Sequence, residues 1–134
     1  MQAVFLPIAS RIDVKRLLLG FLIAALTAMS VSPAGAHARL ERTAPAAGST
    51  VHGSPPQLKL WFTERLEPTF SKVRVLDRTG KQVDKGDPEV DRADAKLLRV
   101  SLPKLASGTY RVQWRVLSVD THVIEGDFTF SVAP

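Results

Sequence analysis

Two residues near the carboxyl end of the chain could hold a metal ion together. Asp120 and His122 are two positions apart, so in an extended backbone both side chains point to one side. His37 could join them, because a signal peptidase that cuts after Ala36 would leave it as the first residue. A terminal His offers its α-amine and its Nδ1 as a chelating pair. Three nitrogens and one oxygen are the ligand set that suits tetragonal Cu(II).

The beginning of the chain has the three parts of a secretory signal. A region with three basic residues precedes an apolar run over 17–29, and Ala-Gly-Ala at 34–36 offers a cleavage site of small residues. The apolar run is shorter than the roughly 20 residues that span a bilayer. We therefore predict a cleaved signal peptide over 1–36 and a mature domain over 37–134 that does not insert into a membrane. An uncleaved membrane anchor is the alternative.

Composition narrows the function classes. The chain has 134 residues, no Cys and a formal net charge of +5. Without the leader, 15 basic and 12 acidic residues leave a charge of +3, and these residues are scattered, which does not indicate nucleic-acid binding. Both methionines, Met1 and Met29, fall in the leader, so the mature chain has no sulfur ligand for Cu(I). An exported domain without disulfides must be held by its core alone.

Short segments of alternating polarity predict an all-β domain. The alternation is clearest over 58–62, 110–116 and 128–132, and the other strands are predicted over 38–43, 73–76, 81–83 and 97–102. Loops or polar connections are predicted over 44–56, 63–70, 85–96 and 120–126, with a tight turn at 77–80. About seven short strands separated by turns indicate a two-sheet β-sandwich. Five aromatic residues are predicted to lie in or beside its core: Phe62, Tyr110, Trp114, Phe128 and Phe130.

Simpler interpretations of the same polar residues stay open at this point. An Asp in a connection can cap a turn, and a His can simply be solvated, so Asp120 and His122 alone are a weak signal. His52 lies in the predicted 44–56 loop, where a solvent-exposed histidine is the favoured interpretation over a ligand. The ligand set would also suit zinc, although matched nitrogen and oxygen sites generally hold Cu(II) more tightly than Zn(II).

Six stretches of the mature chain follow one another in a specific order and spacing. They are HARL at 37–40, TAPAAG at 43–48, LKLWFTE at 58–64, GTYRVQWRV at 108–116, SVDTH at 118–122 and GDFTF at 126–130. In this order the chain resembles the CopC family of exported copper-resistance proteins, over nearly the whole mature length. The resemblance implies a Greek-key β-sandwich, immunoglobulin-like or cupredoxin-like, that binds one Cu(II) near one end. His37 would supply its amine and Nδ1, Asp120 an oxygen and His122 a nitrogen.

The resemblance also bears on a further carboxylate and on sulfur. Glu64 occupies the position of the family's nearby carboxylate, which implies a group that orients a ligand or binds weakly along the axis. A surface charge at a strand end is the alternative interpretation of Glu64. Some family members carry a Met-rich loop that binds Cu(I), and this mature chain lacks one. The resemblance together with this departure implies a single-site Cu(II) protein.

The function implied by the resemblance is to buffer or carry copper in the periplasm. The protein would hand the metal to an inner-membrane copper transporter and would not be an enzyme. The main alternative is a copper-dependent oxidative enzyme, since lytic polysaccharide monooxygenases also chelate copper with a terminal His. Here Asp120 would add a hard anionic ligand that disfavours Cu(I), and the sequence shows no broad aromatic platform for a polysaccharide. A metal-free structural sandwich is the third interpretation.

Overall fold

The computed structural model describes residues 38–134, in which eight β-strands form two four-stranded sheets. The strands are β1 (Leu40–Ala44), β2 (Thr50–His52), β3 (Gln57–Phe62), β4 (Lys72–Leu76), β5 (Glu89–Val90), β6 (Leu97–Ser101), β7 (Gly108–Leu117) and β8 (Val123–Ala133). A short 3-10 turn, Pro68–Phe70, precedes β4. The predicted leader over 1–36 and His37 lie outside the described residues.

The two sheets confirm the predicted β-sandwich. One sheet has the order β1-β3-β6-β5 and is antiparallel throughout. The other has the order β2-β8-β7-β4, in which only the β2–β8 pair is parallel. The chain passes repeatedly from one sheet to the other, so neighbours in a sheet are often distant in sequence. None of the helical segments within residues 38–134 is long and apolar enough to cross a membrane.

The core lies between the sheets and follows the alternation in the sequence. Along β3, Leu58, Leu60 and Phe62 are buried, while the residues between them are only partly covered. Phe130 is also buried, and its ring stacks on the ring of Tyr110 with 5.7 Å between centroids. These positions confirm that period-two alternation marks the buried face.

Trp114 borders the core and depends on a glycine in the neighbouring strand. Its ring meets the ring of Phe62 edge-on, with 5.3 Å between centroids. It also covers Gly126, which lies opposite it in β8. A Cβ atom built on Gly126 would lie 2.6 Å from Cζ2 of the indole, which is too close for any side chain. The glycine in the GDFTF stretch therefore makes room for this tryptophan.

Two strands lie where polar connections were predicted. The predicted 44–56 loop contains β2, and the predicted 85–96 connection contains β5, so the described chain has eight strands rather than about seven. β2 has three residues, which is too short to show alternation, and its strand conformation comes from parallel pairing with β8. It is bounded by Gly48 and Gly53, both with positive φ. β5 has two residues and pairs only with β6.

Two predicted strand boundaries were also wrong. The 81–83 segment forms a single bridge between Gln82 and Leu76 instead of a strand. The carbonyl of Val75 accepts from the backbone nitrogen of Val83 at 2.8 Å, but the backbone nitrogen of Val75 donates to Oδ2 of Asp84 at 2.7 Å. A side chain thus replaces the backbone acceptor that a longer ladder would supply. The closing strand begins at Val123 and not after the predicted 120–126 connection, because it pairs with β7 along its full length from Val123 onward.

Candidate metal centre

Asp120 and His122 lie in the tight loop that joins β7 to β8. The two strands pair up to Leu117 and Val123, which leaves residues 118–122 to form the loop. The backbone nitrogen of Ser118 donates to the carbonyl oxygen of His122 at 3.0 Å, and that of Thr121 donates to the carbonyl of Ser118 at 2.9 Å. Thr121 has a φ of +73°, an uncommon conformation for a residue with a β-branched side chain. The loop is therefore closed by its own backbone.

The structure brings the two predicted ligands of this loop together. Nδ1 of His122 lies 3.1 Å from Oδ2 of Asp120. The side chains keep 51% and 34% of their surface exposed, respectively. An imidazole and a carboxylate thus meet at the surface, where an ion from solution can reach them.

Ser118 fixes the carboxylate of Asp120 by a hydrogen bond. Its side chain is fully buried, and its hydroxyl donates a hydrogen bond to Oδ1 of Asp120. This bond is the largest cause that places the pKa of Asp120 below its ordinary value, and the contacts with His122 act in the same direction, while burial opposes them. Asp120 is therefore a fixed, negatively charged oxygen donor. Ser118 was not among the site residues predicted from the sequence, although serine and aspartate side chains readily make local hydrogen bonds with nearby residues.

The segment after β3 links this loop to the beginning of the described chain. The backbone nitrogen of Arg39 donates to Oγ1 of Thr63 at 2.9 Å, and the backbone nitrogen of Thr63 donates to the carbonyl of Arg39 at 2.9 Å. Two residues further along, the carbonyl of Arg65 accepts from the backbone nitrogen of Val119 at 3.0 Å. One short segment, 63–66, therefore contacts both the chain that follows His37 and the loop that carries Asp120.

The first described residue is also fixed in place. Ala38 is 1% exposed, and Arg39 after it makes the two hydrogen bonds with Thr63. The sequence neighbour of His37 is thus held at the end of the sandwich where Asp120 and His122 lie. His37 itself, the third predicted ligand residue, lies outside the described residues.

Glu64 and His52 occupy different parts of the molecule. Glu64 is partly buried and lies in the middle of the linking segment, between Thr63 and Arg65. His52 is exposed in β2 and pairs with Ala133, at the far end of β8 from the 118–122 loop. Since β8 has 11 residues, His52 lies roughly 30 Å from the loop. The structure therefore places Glu64 near the candidate site and His52 away from it.

The described residues do not complete a metal site by themselves. Within residues 38–134 there is no group of three or more His, Cys, Asp or Glu side chains that could hold an ion. The pair formed by Asp120 and His122 supplies one oxygen and one nitrogen. A stable tetragonal site needs further donors, and those predicted from the sequence are the amine and Nδ1 of His37.

Comparison with known proteins connects this arrangement with copper. The model of the CopC domain matches residues 40–133. Copper resistance protein C of Xanthomonas campestris pv. juglandis is 35% identical over 113 residues, which cover 78% of this chain and 86% of that protein. The copper transport protein CutJ of Bacillus subtilis is 30% identical over 98 residues, which cover 72% of this chain but only 18% of that longer protein.

Solved structures share both the fold and the sequence pattern. The crystal structure of CopC from Methylosinus trichosporium OB3b superposes with a TM-score of 0.69 at 39% identity, covering 73% of this chain and 95% of that one. PcoC, a methionine-rich copper resistance protein from Escherichia coli, superposes with a TM-score of 0.62 at 33% identity, covering 73% of this chain and all of that one.

Proposed function

The chain belongs to the CopC family of copper resistance proteins, and on that premise we propose that it is an exported protein that binds one Cu(II) through His37, Asp120 and His122. The observation that carries the proposal is the meeting of Asp120 and His122 at 3.1 Å, beside the segment that fastens Ala38 and Arg39. The relatives in this family are named copper resistance or copper transport proteins, which supports a copper-related role rather than an enzymatic one.

The proposed ligands form a set that suits Cu(II). Asp120 contributes a carboxylate oxygen, His122 an imidazole nitrogen, and His37 its amine and Nδ1. Nitrogen and hard oxygen donors favour Cu(II) in tetragonal geometry. Glu64, in the linking segment, is proposed to orient a ligand or to approach the ion weakly. Ser118 holds Asp120 and so keeps the oxygen donor in place before the ion arrives.

The proposed site depends on export. The α-amine of His37 exists only if the leader over 1–36 is removed after Ala36. We therefore place the mature domain, 37–134, in the periplasm, where it buffers or carries copper. The longer copper transport protein CutJ resembles this chain over 18% of its own length. That relationship supports delivery of the ion to a copper transporter, which we propose to lie in the inner membrane.

The absence of sulfur ligands points to a single oxidation state. The related structure PcoC is described as methionine-rich, whereas Met1 and Met29, both in the predicted leader, are the methionines of this chain, and it has no Cys. Thioether and thiolate ligands select Cu(I). We expect the processed protein to bind one Cu(II) and to lose Cu(I) to a competing chelator.

The electron paramagnetic resonance spectrum of the processed protein with one equivalent of Cu(II) tests this site directly. The nitrogen hyperfine pattern should show three nitrogen ligands, and a second equivalent should give the signal of weakly bound copper. A spectrum with only one or two nitrogen ligands would contradict the proposed ligand set. Two tightly held Cu(II) ions, or strong retention of Cu(I), would contradict the single-site proposal.

The affinity for Cu(II) should fall as the pH drops from about 8 to about 5, because amine and imidazole nitrogens bind only after losing a proton. The carboxylate should not contribute to this loss. Its pKa is held below the ordinary value by the Ser118 hydroxyl first and by His122 next, so Asp120 stays charged over the whole range. The measurement is a competition titration against a chelator of known proton dependence. An affinity that is flat over this range would contradict nitrogen coordination.

Replacing Ser118 should weaken copper binding without removing a ligand. In Ser118→Ala the carboxylate of Asp120 loses the hydroxyl that holds it, and we expect the Cu(II) affinity to fall by about 10-fold, the lower end of the range for groups that orient ligands. Ser71→Ala is the matched control. Ser71 is likewise buried, and its hydroxyl contacts the backbone of Leu117, but it does not touch Asp120. Equal losses of affinity in the two variants would show a general effect of loosening this end of the sandwich.

A further inference from the structure

The exposed apolar side chains of this protein are concentrated at the end that carries the candidate site. Within residues 38–134, the large hydrophobic residues that are mostly exposed are Phe70, at 63%, and Val119 and Val123, at 50% each. Val119 and Val123 flank the pair Asp120 and His122 in sequence. Single exposed hydrophobic residues are ordinary, but their grouping beside one site marks a surface that contacts another molecule.

A shallow depression next to the loop contains two of these residues, Phe70 and Val123. Its lining consists of the apolar residues Phe70, Leu117 and Val123, the basic residues Lys72 and Arg115, and Thr69. We call this surface the apolar patch with its basic edge. Leu117 and Val123 are paired at the end of the β7–β8 ladder, and Val123 directly follows His122. The patch therefore begins one residue away from a proposed copper ligand.

The exposed ring of Phe70 belongs to a turn that is fixed to β7. The backbone nitrogen of Glu67 donates to the carbonyl of Leu117 at 2.8 Å, and that of Phe70 donates to the carbonyl of Glu67 at 3.3 Å. Ser71, the next residue, is buried and its hydroxyl contacts the backbone of Leu117. The aromatic ring is thus presented to solvent by a hydrogen-bonded turn, which is an arrangement suited to insertion into a partner.

The edge of the patch carries an excess of positive charge. Lys72 and Arg115 are direct neighbours across the β4–β7 ladder and both are exposed. Like charges in this position destabilise a sheet. Glu125 lies opposite Arg115 on the other side, while Asp127 forms an ion pair with Arg111 at 3.0 Å. The outer face of β4, β7 and β8 carries four cations against two carboxylates: Lys72, Arg74, Arg111 and Arg115 against Glu125 and Asp127.

We propose that the apolar patch with its basic edge is the surface on which the copper-accepting protein docks, and that this acceptor presents an apolar side chain surrounded by carboxylates. The proposal rests on the proposed function, because it assumes that copper leaves from Asp120 and His122. An acidic partner would relieve the repulsion between Lys72 and Arg115, and an apolar group would cover Phe70 and Val123. Docking there would bring the acceptor's own ligands beside the ion.

Photo-crosslinking in the copper-exposed host tests the surface. The exported protein carries a photoreactive benzoylphenylalanine in place of Phe70, or in place of Arg78 as a control. Arg78 is also exposed but lies at the other end of β4. We expect an adduct from position 70 with one protein, joined at a peptide that contains Asp or Glu, and no such adduct from position 78.

Charge reversal distinguishes docking from chance proximity. Lys72→Glu with Arg115→Glu should reduce the yield of the position-70 adduct by about 10-fold or more, because edge charges control the rate of encounter. Arg78→Glu with Lys104→Glu makes the same change in net charge elsewhere and should leave the yield unchanged. The adduct that supports the proposal is the one that responds to the first pair and not to the second.

The remaining outcomes overturn the proposal in distinguishable ways. An adduct with a second copy of this chain would assign the patch to a homodimer, and an adduct with phospholipid alone would assign it to the membrane surface. No adduct, or one that is indifferent to charge reversal, would also overturn the docking surface. A Cu(II) titration of the purified wild-type protein runs in parallel. Failure to bind Cu(II) there overturns the proposed function, whereas normal binding without the adduct overturns the docking surface alone.

Discussion

One extra residue ahead of His37 should reduce the Cu(II) affinity of the processed protein by roughly 100-fold or more. The addition converts the α-amine of His37 into an amide nitrogen, which is not a base and coordinates only after deprotonation. The chelate ring through the amine and Nδ1 is then lost. Changes in groups that merely orient ligands cost about 10–100-fold in metal affinity, so the loss of a direct ligand should cost at least as much.

The structure explains why the extended chain should not simply readjust. Ala38 is buried, and the backbone of Arg39 makes two hydrogen bonds with Thr63, one to its hydroxyl and one from its backbone nitrogen. The chain after His37 therefore cannot slide by one residue without breaking them. The new terminal amine would bind through a different ring. The other common copper site at a free amino terminus needs a His in third place. The third residue is Arg39 in the processed chain and Ala38 in the extended chain, so neither chain has that site.

The comparison requires three proteins titrated against the same Cu(II) chelator. They are the signal-processed chain, a variant with one leading Ala, and the processed chain acetylated at His37. Acetylation removes the basic amine without adding a residue, so it should match the leading Ala in its effect. The thermal unfolding temperature without metal should barely change in any of them, because the hydrogen bonds of Arg39 remain. Equal affinities in all three would eliminate the amine ligand.

Local alternation made most of the fold predictable. Residues 58–62 and 110–116 alternate clearly, and both lie in strands with one buried face. The turn at 77–80 was also predicted from local sequence. In the structure Asp77 accepts hydrogen bonds from the backbone of Thr79 and Lys81, as an Asp at the start of a turn commonly does. Patterns formed by residues that are close in sequence can be interpreted without knowing the tertiary structure.

Pairing between distant residues was not predictable in the same way. β2 and β5 have three and two residues, and only their partners β8 and β6 give them strand conformation. The predicted strand over 81–83 is only a bridge for a related reason, since the backbone nitrogen of Val75 bonds to the side chain of Asp84 and not to a strand carbonyl. Very short edge strands carry too few residues for any periodicity to appear.

The candidate site was also predictable only in part, according to whether its residues are close in sequence. The proximity of Asp120 and His122 was predicted from their spacing in an extended backbone. The structure does bring them together, but in a tight loop in which Thr121 has a φ of +73°. The contact of Thr63 with Arg39, 24 residues away, has no local signal in the sequence. The proximity of the chain start to this loop was expected from the ligand chemistry of a terminal His37 and from the resemblance to the family, and not from a local pattern in the sequence. For Ala38 and Arg39 the structure shows the cause of this proximity, because the segment 63–66 contacts both the start of the described chain and the loop.

Removing either ligand of the loop should separate copper binding from folding. We expect His122→Ala and Asp120→Ala each to lower the Cu(II) affinity by roughly 100-fold or more, for the same reason as the loss of the amine. Both side chains are partly exposed at the surface, so the denaturant midpoint of the metal-free protein should change little. The measurements are a chelator titration and chemical denaturation of the metal-free variants.

The metal-free fold should tolerate these changes because the loop keeps its remaining hydrogen bonds. In Asp120→Ala the buried hydroxyl of Ser118 still has the carbonyl of His122 within 3.2 Å as an acceptor, so no buried donor is orphaned. In His122→Ala that carbonyl and its bond from the backbone of Ser118 both remain.

Two control variants make the outcome decisive. His52→Ala removes an exposed histidine at the other end of β8 and should leave the Cu(II) affinity unchanged. Trp114→Ala should instead destabilise the metal-free fold without removing a copper ligand, because it removes core packing against Phe62. Its cost should approach but not reach the roughly 3–5 kcal/mol of a fully buried aromatic residue, since Trp114 is only partly buried. If His122→Ala instead destabilised the metal-free domain as Trp114→Ala does, the imidazole would be a structural element of the loop. The copper ligands would then have to be sought elsewhere.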